Sequence, residues 1–259
     1  MIGIFDSGVG GMTVACAIER LLPEHPLLYL GDLARTPYGN KSASTITEYS
    51  LENSKFLLDK GAECIVIACN SASSAALDTL RETFTVPIIG VISPAVHEAV
   101  QGTSSGRIGV IGTRATIRSK VYETQITSRL QGSKVYSKAC PLLVPLVEED
   151  WIAKRETKMI LRRYLHPLKA KQIDTLVLGC THYPLLKHLI QPRIGKRVRL
   201  IDSSETTARY LRDYVVQAGI RPLPGHLLKN NAYYLTDITE AAQRITNTIF
   251  NRKIQLLTT

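Results

Sequence analysis

Cys69 and Cys180 have the residue type and setting to do chemistry. Each follows a short apolar run, Ile65-Val66-Ile67-Ala68 for the first and Leu176-Val177-Leu178-Gly179 for the second. Each is followed by polar residues that read as the start of a helix, Asn70-Ser71-Ala72-Ser73-Ser74 and Thr181-His182-Tyr183-Pro184. Free backbone N–H groups at a helix start hold anions such as a carboxylate. The same position lowers a thiol pKa from its ordinary value of about 8.5. A thiolate is a base, and the neutral thiol is a usable acid. His182 lies close enough in sequence to be a proton partner for Cys180. Two such groups flanking one cleft suit inversion of a stereocentre, one removing a proton and the other supplying one on the opposite face. Plainer readings stand beside these. Cys69 also reads as a buried structural cysteine with Asn70 or Ser71 as cap, and Thr181 as the cap of a helix carrying a satisfied histidine. Zinc held by Cys180, His182 and Cys64 or Cys69 is a further reading, although Cys-x-His is not a usual zinc spacing.

Asp6-Ser7-Gly8-Val9-Gly10-Gly11 forms a glycine-rich turn after the first apolar run. It is not a dinucleotide fingerprint, because Thr13 stands where the third glycine belongs, and it lacks the Gly-Lys-Ser/Thr of a phosphate loop. It reads either as a ligand-binding loop or as a strand–helix turn capped by Asp6 or Ser7. Asp32 and Pro37-Tyr38-Gly39 fall in a long loop, where ligand contacts are common. Glu148-Glu149-Asp150 reads as a charge group at a helix start. Cys16, Cys64 and Cys140 read as structural. Five cysteines, an odd number without a CxxC pair, fit a reducing compartment better than a disulfide framework.

Positioning these residues takes strands buried on both faces. The runs Ile2–Phe5, Leu27–Leu30, Cys64–Ala68, Pro87–Ile92, Ile108–Ile111, Val135–Ala139, Thr175–Leu178 and Val198–Ile201 are mostly continuous rather than alternating. They are separated by helix-like segments, which predicts an α/β fold with parallel sheets. The chain also repeats itself. Ile2-Gly3-Ile4-Phe5 resembles Ile108-Gly109-Val110-Ile111 at an offset of 106, Ile65 to Cys69 resembles Leu176 to Cys180 at 111, and Val86 to Gly90 resembles Val198 to Asp202 at 112. We expect two similar α/β lobes related by a pseudo-twofold, with the active site in the cleft between them. Residues 1–92 plus about 207–259 form the first lobe and 93–206 the second. In open α/β sheets ligands bind beyond the carboxyl ends of strands, which is where both cysteines fall.

The length of 259 residues, with 44% hydrophobic and 21% charged residues, excludes a disordered chain, and no apolar run approaches the length of a membrane span. The N-terminus lacks the pattern of a signal peptide, so a cytoplasmic location with no membrane partner is expected. The formal charge is +10, and it is uneven: residues 1–100 carry 6 basic and 11 acidic side chains, leaving 26 and 11 in the rest. A nucleic-acid partner is one reading of that excess. The other is a solvated surface, favoured by the lack of aromatic interleaving among the dispersed cations.

Phe5 to Gly11, Asp32-Leu33-Ala34-Arg35-Thr36-Pro37-Tyr38-Gly39, Ala68-Cys69-Asn70 and Gly179 to Pro184 together resemble the glutamate racemases of the cofactor-independent aspartate/glutamate racemase family. The likeness is collinear from Ile2 to about Tyr210. It implies two α/β lobes and reversible interconversion of L- and D-glutamate without a cofactor or metal, supplying D-glutamate for peptidoglycan. The implied acid/base thiols are Cys69 and Cys180, with Asp6 assisting Cys69, His182 assisting Cys180, and Asp32 and Glu148 as further acids. Glu149 is adjacent to Glu148 and competes for that assignment. The implied substrate-binding set is Asp6, Ser7, Pro37, Tyr38, Gly39, Cys69, Asn70, Ser71, Thr113, Thr116, Cys180, Thr181 and His182. The implied partner is glutamate, and a homodimer is an open expectation. Ser71 departs from the family's usual Thr, keeping the hydroxyl and losing a methyl, so racemisation or epimerisation of another amino acid is the alternative activity.

Overall fold

The computed structural model describes residues 1–219 and 231–259. Residues 220–230, part of the segment expected to return to the first lobe, lie outside the described residues. The strands are β1 (Ile2–Asp6), β2 (Leu27–Gly31), β3 (Cys64–Ile67), β4 (Ile88–Gly90), β5 (Arg107–Gly112), β6 (Lys134–Ala139), β7 (Thr175–Gly179), β8 (Arg199–Asp202), β9 (Ala232–Leu235) and β10 (Leu256–Thr258). The helices are α1 (Met12–Leu21), α2 (Ala43–Asp59), α3 (Asn70–Thr83), α4 (Ile92–Gly102), α5 (Arg114–Arg118), α6 (Val121–Arg129), α7 (Leu143–Glu148), α8 (Arg155–Ala170), α9 (Lys187–Ile194), α10 (Ser203–Gln217) and α11 (Glu240–Phe250).

Among the described residues two parallel sheets result, one ordered β10-β9-β2-β1-β3-β4 and the other β6-β5-β7-β8. The run β2-β1-β3-β4 therefore has the same order as β6-β5-β7-β8. The register carries the equivalence to single residues. Ile2 pairs with Cys64 and Ile108 with Thr175, while Ile65 pairs with Ile88 and Leu176 with Leu200. These pairs reproduce the offsets of 106, 111 and 112 seen in the sequence. In each sheet the chain turns back across its first strand, so the crevice at the carboxyl ends of β1 and β3, and that of β5 and β7, are topological switch points.

The continuous apolar runs are buried as expected. All five residues of β1, β2 and β7 are buried. One apolar layer joins the two halves, containing Ile4 and Val66 of the first sheet, Val110 and Val177 of the second, and Ile18, Val96, Ala208 and Leu211 from α1, α4 and α10. The outer face of the first sheet packs through Phe5, Ile65 and Ile67 against Leu57 and Leu80 of α2 and α3. The outer face of the second packs through Leu176 and Leu178 against Leu161, Leu165 and Ile190 of α8 and α9.

Two local expectations are corrected. The run Pro87–Ile92 is not strand throughout: β4 covers only Ile88–Gly90, and Ile92 already begins α4. Val135–Ala139 is an edge strand with Lys134 and Ser137 exposed, not a doubly buried one. β9 and β10 escape a reading by apolar runs because they are short and only half-buried. The basic excess of the second half lies partly on α8, where Arg155, Lys158, Arg162, Arg163 and Lys169 are all exposed. Among the described residues no helix is long and apolar enough to cross a membrane.

Candidate active site

Both switch points open into one cavity of about 210 Å3. Ser7 and Cys69 enter it from the carboxyl ends of β1 and β3, and Thr113 and Cys180 from those of β5 and β7. Pro37, Tyr38, Gly39, Asn70, Ser71, Thr181, His182 and Glu148 complete the expected part of the lining. Pockets for drug-sized ligands run to roughly 300–1,000 Å3, so this one is scaled to a smaller molecule.

Cys69 occupies the N-cap of α3, with the helix starting at Asn70. Its thiol donates to Ser7 Oγ at 3.6 Å. The expectation of a lowered thiol pKa is corrected here. Burial and the nearby Asp6 carboxylate push Cys69 up to about 12, outweighing the Ala72 N–H and Ser7 contacts that favour its thiolate. Asp6 is itself fully buried, and burial raises its carboxyl to about 6 against the opposing pull of His182. Its Oδ1 accepts from the Gly8 N–H at 3.0 Å, and its Oδ2 accepts from Thr181 Oγ1 at 3.3 Å, across the cleft. Asp6 therefore acts on Cys69 through charge, and it touches the Cys180 segment directly.

Cys180 sits differently. No α-helix starts there; a short 3-10 turn (Tyr183–Leu186) intervenes before α9, and Thr181 caps nothing. The thiol instead faces a histidine. Cys180 Sγ lies 4.0 Å from His182 Nδ1, and His182 Nε2 lies 3.0 Å from Glu148 Oε1. Burial pulls the imidazole down, but the Cys180 and Glu148 contacts win and hold His182 up at about 10, as an imidazolium at neutral pH. Glu148, not Glu149, is the carboxylate that reaches the site. The acidic group ends α7 rather than starting a helix, contrary to expectation.

The glycine-rich turn serves this approach. A Cβ on Gly10 would stand 2.4 Å from His182 Nδ1 and 2.5 Å from Thr181 Oγ1, so only glycine lets the Cys180 segment close on the first lobe. Gly39 does the same on the other side, where a Cβ would meet Thr113 Cβ at 2.6 Å. Neither Asp6 nor Ser7 caps α1, whose N-cap is Gly11 without a side-chain bond. Thr13 adds a seam below, donating to Thr181 O at 3.1 Å and pairing with Ser204 Oγ at 2.9 Å.

Three expected residues stand behind the lining. Asp6 supports it as described. Thr116 bonds the lining residues Ser71 (3.3 Å) and Thr113 (3.1 Å) through its hydroxyl. Asp32 is buried, accepting from Tyr38 OH, from Arg35 Nε at 2.7 Å and from Thr236 Oγ1 at 3.3 Å. It fixes Tyr38 in the wall. Ser71 and Thr113 link the two lobes through a 2.8 Å hydroxyl pair, and Thr113 caps α5. Six lining residues were not expected: Thr36, Asn40, Arg114, Pro141, Val144 and Pro145. Arg114 and Asn40 meet at 3.3 Å from opposite lobes, next to the expected Thr113 and Gly39. Their only sequence signal was that adjacency. Among the described residues no group of three or more His, Cys, Asp and Glu side chains is placed to hold a metal ion.

Known proteins of similar sequence and fold point to one family. The Asp/Glu/hydantoin racemase family pattern matches residues 12–211. A glutamate racemase of Geobacter metallireducens is 44% identical over 253 residues, 98% of this chain and 93% of that protein. A crystal structure of a Bacillus anthracis glutamate racemase superposes with a TM-score of 0.93 at 37% identity, covering 100% of this chain and 97% of the other. One from Francisella tularensis, in complex with D-glutamate, gives 0.92 at 34% identity, covering 100% and 96%. The chain belongs to the Asp/Glu/hydantoin racemase family, among its glutamate racemases.

Proposed function

We propose that this chain interconverts L- and D-glutamate by proton transfer between Cα and two thiols, and so supplies D-glutamate for peptidoglycan, as its family does. The observation that carries the reading is one small cavity receiving Cys69 and Cys180 from equivalent strand ends of two lobes.

For L-glutamate, the Cys180 thiolate takes the Cα proton and the Cys69 thiol returns one to the opposite face. This leaves the charge on Cys69, ready for the reverse reaction. His182 is held beside Cys180 as an imidazolium, so a positive charge stands next to that thiolate. Cys69, pushed up to about 12, supports the role of the proton donor in this direction. The α-proton is very weakly acidic, so the developing enolate-like charge needs oriented donors in a dry site. Backbone N–H groups at the start of α3 and the hydroxyls of Ser71, Thr113 and Thr181 are placed to meet carboxylates. Asp6, with its carboxyl near 6, is suited to adjust the Cys69 side. The test is racemisation of L- and D-glutamate by purified protein without added cofactor, followed by optical rotation. Steady loss of rotation from either enantiomer is expected. No change with glutamate, alongside turnover of another amino acid, would move the assignment to the alternative substrate.

A further inference from the structure

Between the two thiol segments lies a side chain that touches both and is not part of the cavity's lining. Tyr122 is buried at 2% exposure on α6. Its hydroxyl donates to Asn70 Oδ1 at 2.6 Å, and Asn70 directly follows Cys69. Its ring lies over Gly179, which directly precedes Cys180: a Cβ built on Gly179 would stand 3.2 Å from the ring's Cε2. Asn70 is 2% exposed and lines the cavity, and among the described residues its only other side-chain bond is a long 3.4 Å contact to Ser203 Oγ. The phenol is therefore the stronger of the two partners that fix the Asn70 amide.

The local chain is arranged to place it. α5 ends at Arg118, and Lys120 takes the left-handed conformation at φ 57°. That break turns α6 inward and seats Tyr122 in the shared apolar layer beside Val110, Ile126 and Val177. Its surroundings keep the phenol a donor, because burial and the neighbouring Cys180 and Asp202 all raise its pKa.

We propose that Tyr122 is a positioning residue that holds the two thiol-bearing segments in register across the cleft, with its ring on Gly179 and its phenol on Asn70. The proposal rests on the two-thiol racemase reading. It assigns Tyr122 no contact with substrate and no part in proton transfer. Its effect on the reaction passes through the placement of Asn70 and, beside it, Cys69, relative to Cys180.

Tyr122→Phe keeps the ring and removes only the bond to Asn70. Wild-type protein assayed alongside settles the underlying activity: if it does not racemise glutamate, the racemase reading fails, whatever Tyr122 does. Given an active wild type, Tyr122→Phe should lower kcat about tenfold and by the same factor in both directions, since one strut serves both thiols. The rate is taken per folded site, counted by circular dichroism and by titration of the D-glutamate-protected thiols, so partial unfolding cannot mimic the effect. The pH at which kcat changes should stay where it is in the wild type, because no proton-transfer group is altered. In a cycle with Asn70→Ala, the double variant should be no slower than Asn70→Ala alone. Ser203→Ala should stay within twofold of wild type. A Tyr122→Phe rate within twofold of wild type, additivity in the cycle, or a Ser203→Ala loss as large as that of Tyr122→Phe would each overturn the assignment.

Discussion

The two thiols end equivalent strands, β3 and β7, yet their neighbourhoods diverge within two residues. Cys69 heads an α-helix and has a neutral hydroxyl as its side-chain partner, with an anion, Asp6, close by. Cys180 heads a 3-10 turn and has an imidazolium backed by Glu148. A duplicated topology thus supplies two matching positions, and the residues just beyond each strand supply unequal chemistry. A racemase tolerates this inequality because its equilibrium constant is one. The ratio of the two kcat/KM values is fixed at one, while kcat and KM are free to differ between directions.

Replacing the thiols tests whether both halves take part at all, and should have the largest effect. Cys69→Ser and Cys180→Ser are each expected to lower racemisation by about a thousandfold or more, since positioned acid–base groups contribute about 10²–10⁴ and a serine hydroxyl ionises far less readily than a thiol. In heavy water at early times the wild type should place deuterium in the product enantiomer and hardly any in recovered substrate. Equal labelling of substrate and product from the outset would mean a single base serving both faces, and the comparison of two sites would collapse.

The inequality itself is tested by His182→Asn and Asp6→Asn, each expected to cost about a hundredfold in kcat in one direction and less in the other. His182→Asn should weigh on the direction in which Cys180 is the base, L to D, and Asp6→Asn on D to L. Progress curves from each pure enantiomer give the split, and identical kcat losses in both directions for both variants would sink the pairing. The same histidine predicts a pH signature in stability. Its pKa is raised from 6.5 to about 10 in the folded state, so its stabilising contribution is fully present below about pH 6.5 and is lost as pH rises through about 10. The stability gap between wild type and His182→Asn, read from urea melts, should narrow across that window. Asp6 runs the other way from an ordinary carboxylate. Raised from 3.8 to about 6, its charged form costs stability above pH 6, and that cost is relieved as pH falls toward 3.8.

How much of this was legible depended on the kind of signal. Strands buried on both faces leave continuous apolar runs, so β1, β3, β5 and β7 and their internal repeat could be read, and with them the strand-end position of both cysteines. The reverse held for β9, whose partner β2 lies about two hundred residues away and leaves no local trace, and for the short edge strand β10, which pairs only with β9. The lowered thiol pKa was inferred from the helix start alone. Burial and the charge of Asp6 are tertiary facts, and they reversed the sign for Cys69. Asp32 sat in a recognisable motif, but its bond to Tyr38 behind the cavity wall is invisible in one dimension. The glycines told the same story from the other side: Gly10 read as a possible ligand loop because the histidine that needs its missing Cβ is more than 170 residues away.

Glu148 and Glu149 give a smaller and sharper probe of the Cys180 side, because the two are chemically identical neighbours. Glu148→Gln removes one of the two contacts that hold His182 charged, Cys180 being the other, and should lower the L-to-D kcat about tenfold. Glu149→Gln should leave both directions within twofold. Equal losses from the two variants would mean that general negative charge matters at the end of α7, and the contact at His182 Nε2 would lose its meaning.

The smallest expected effect concerns the Cys69 side and the one departure from the family motif. Ser71 follows Asn70 in the first turn of α3, and its hydroxyl already pairs with Thr113 and Thr116 from the opposite lobe. Those bonds need an oxygen, which threonine also supplies, so Ser71→Thr should leave the lobe contact intact. The added methyl changes only the shape of the wall beside the cavity, and one methyl group changes discrimination by about 10–200-fold at most. Because Ser71 is 2% exposed and its hydroxyl is already engaged by Thr113 and Thr116, we expect the low end: kcat for glutamate within about threefold and a rise in preference for glutamate over shorter or longer dicarboxylic amino acids. A panel of such amino acids, assayed by optical rotation for both proteins, measures that preference. If Ser71→Thr instead cut glutamate turnover severely, the methyl would have no room, and this chain's cavity would be packed around serine rather than loosened by it.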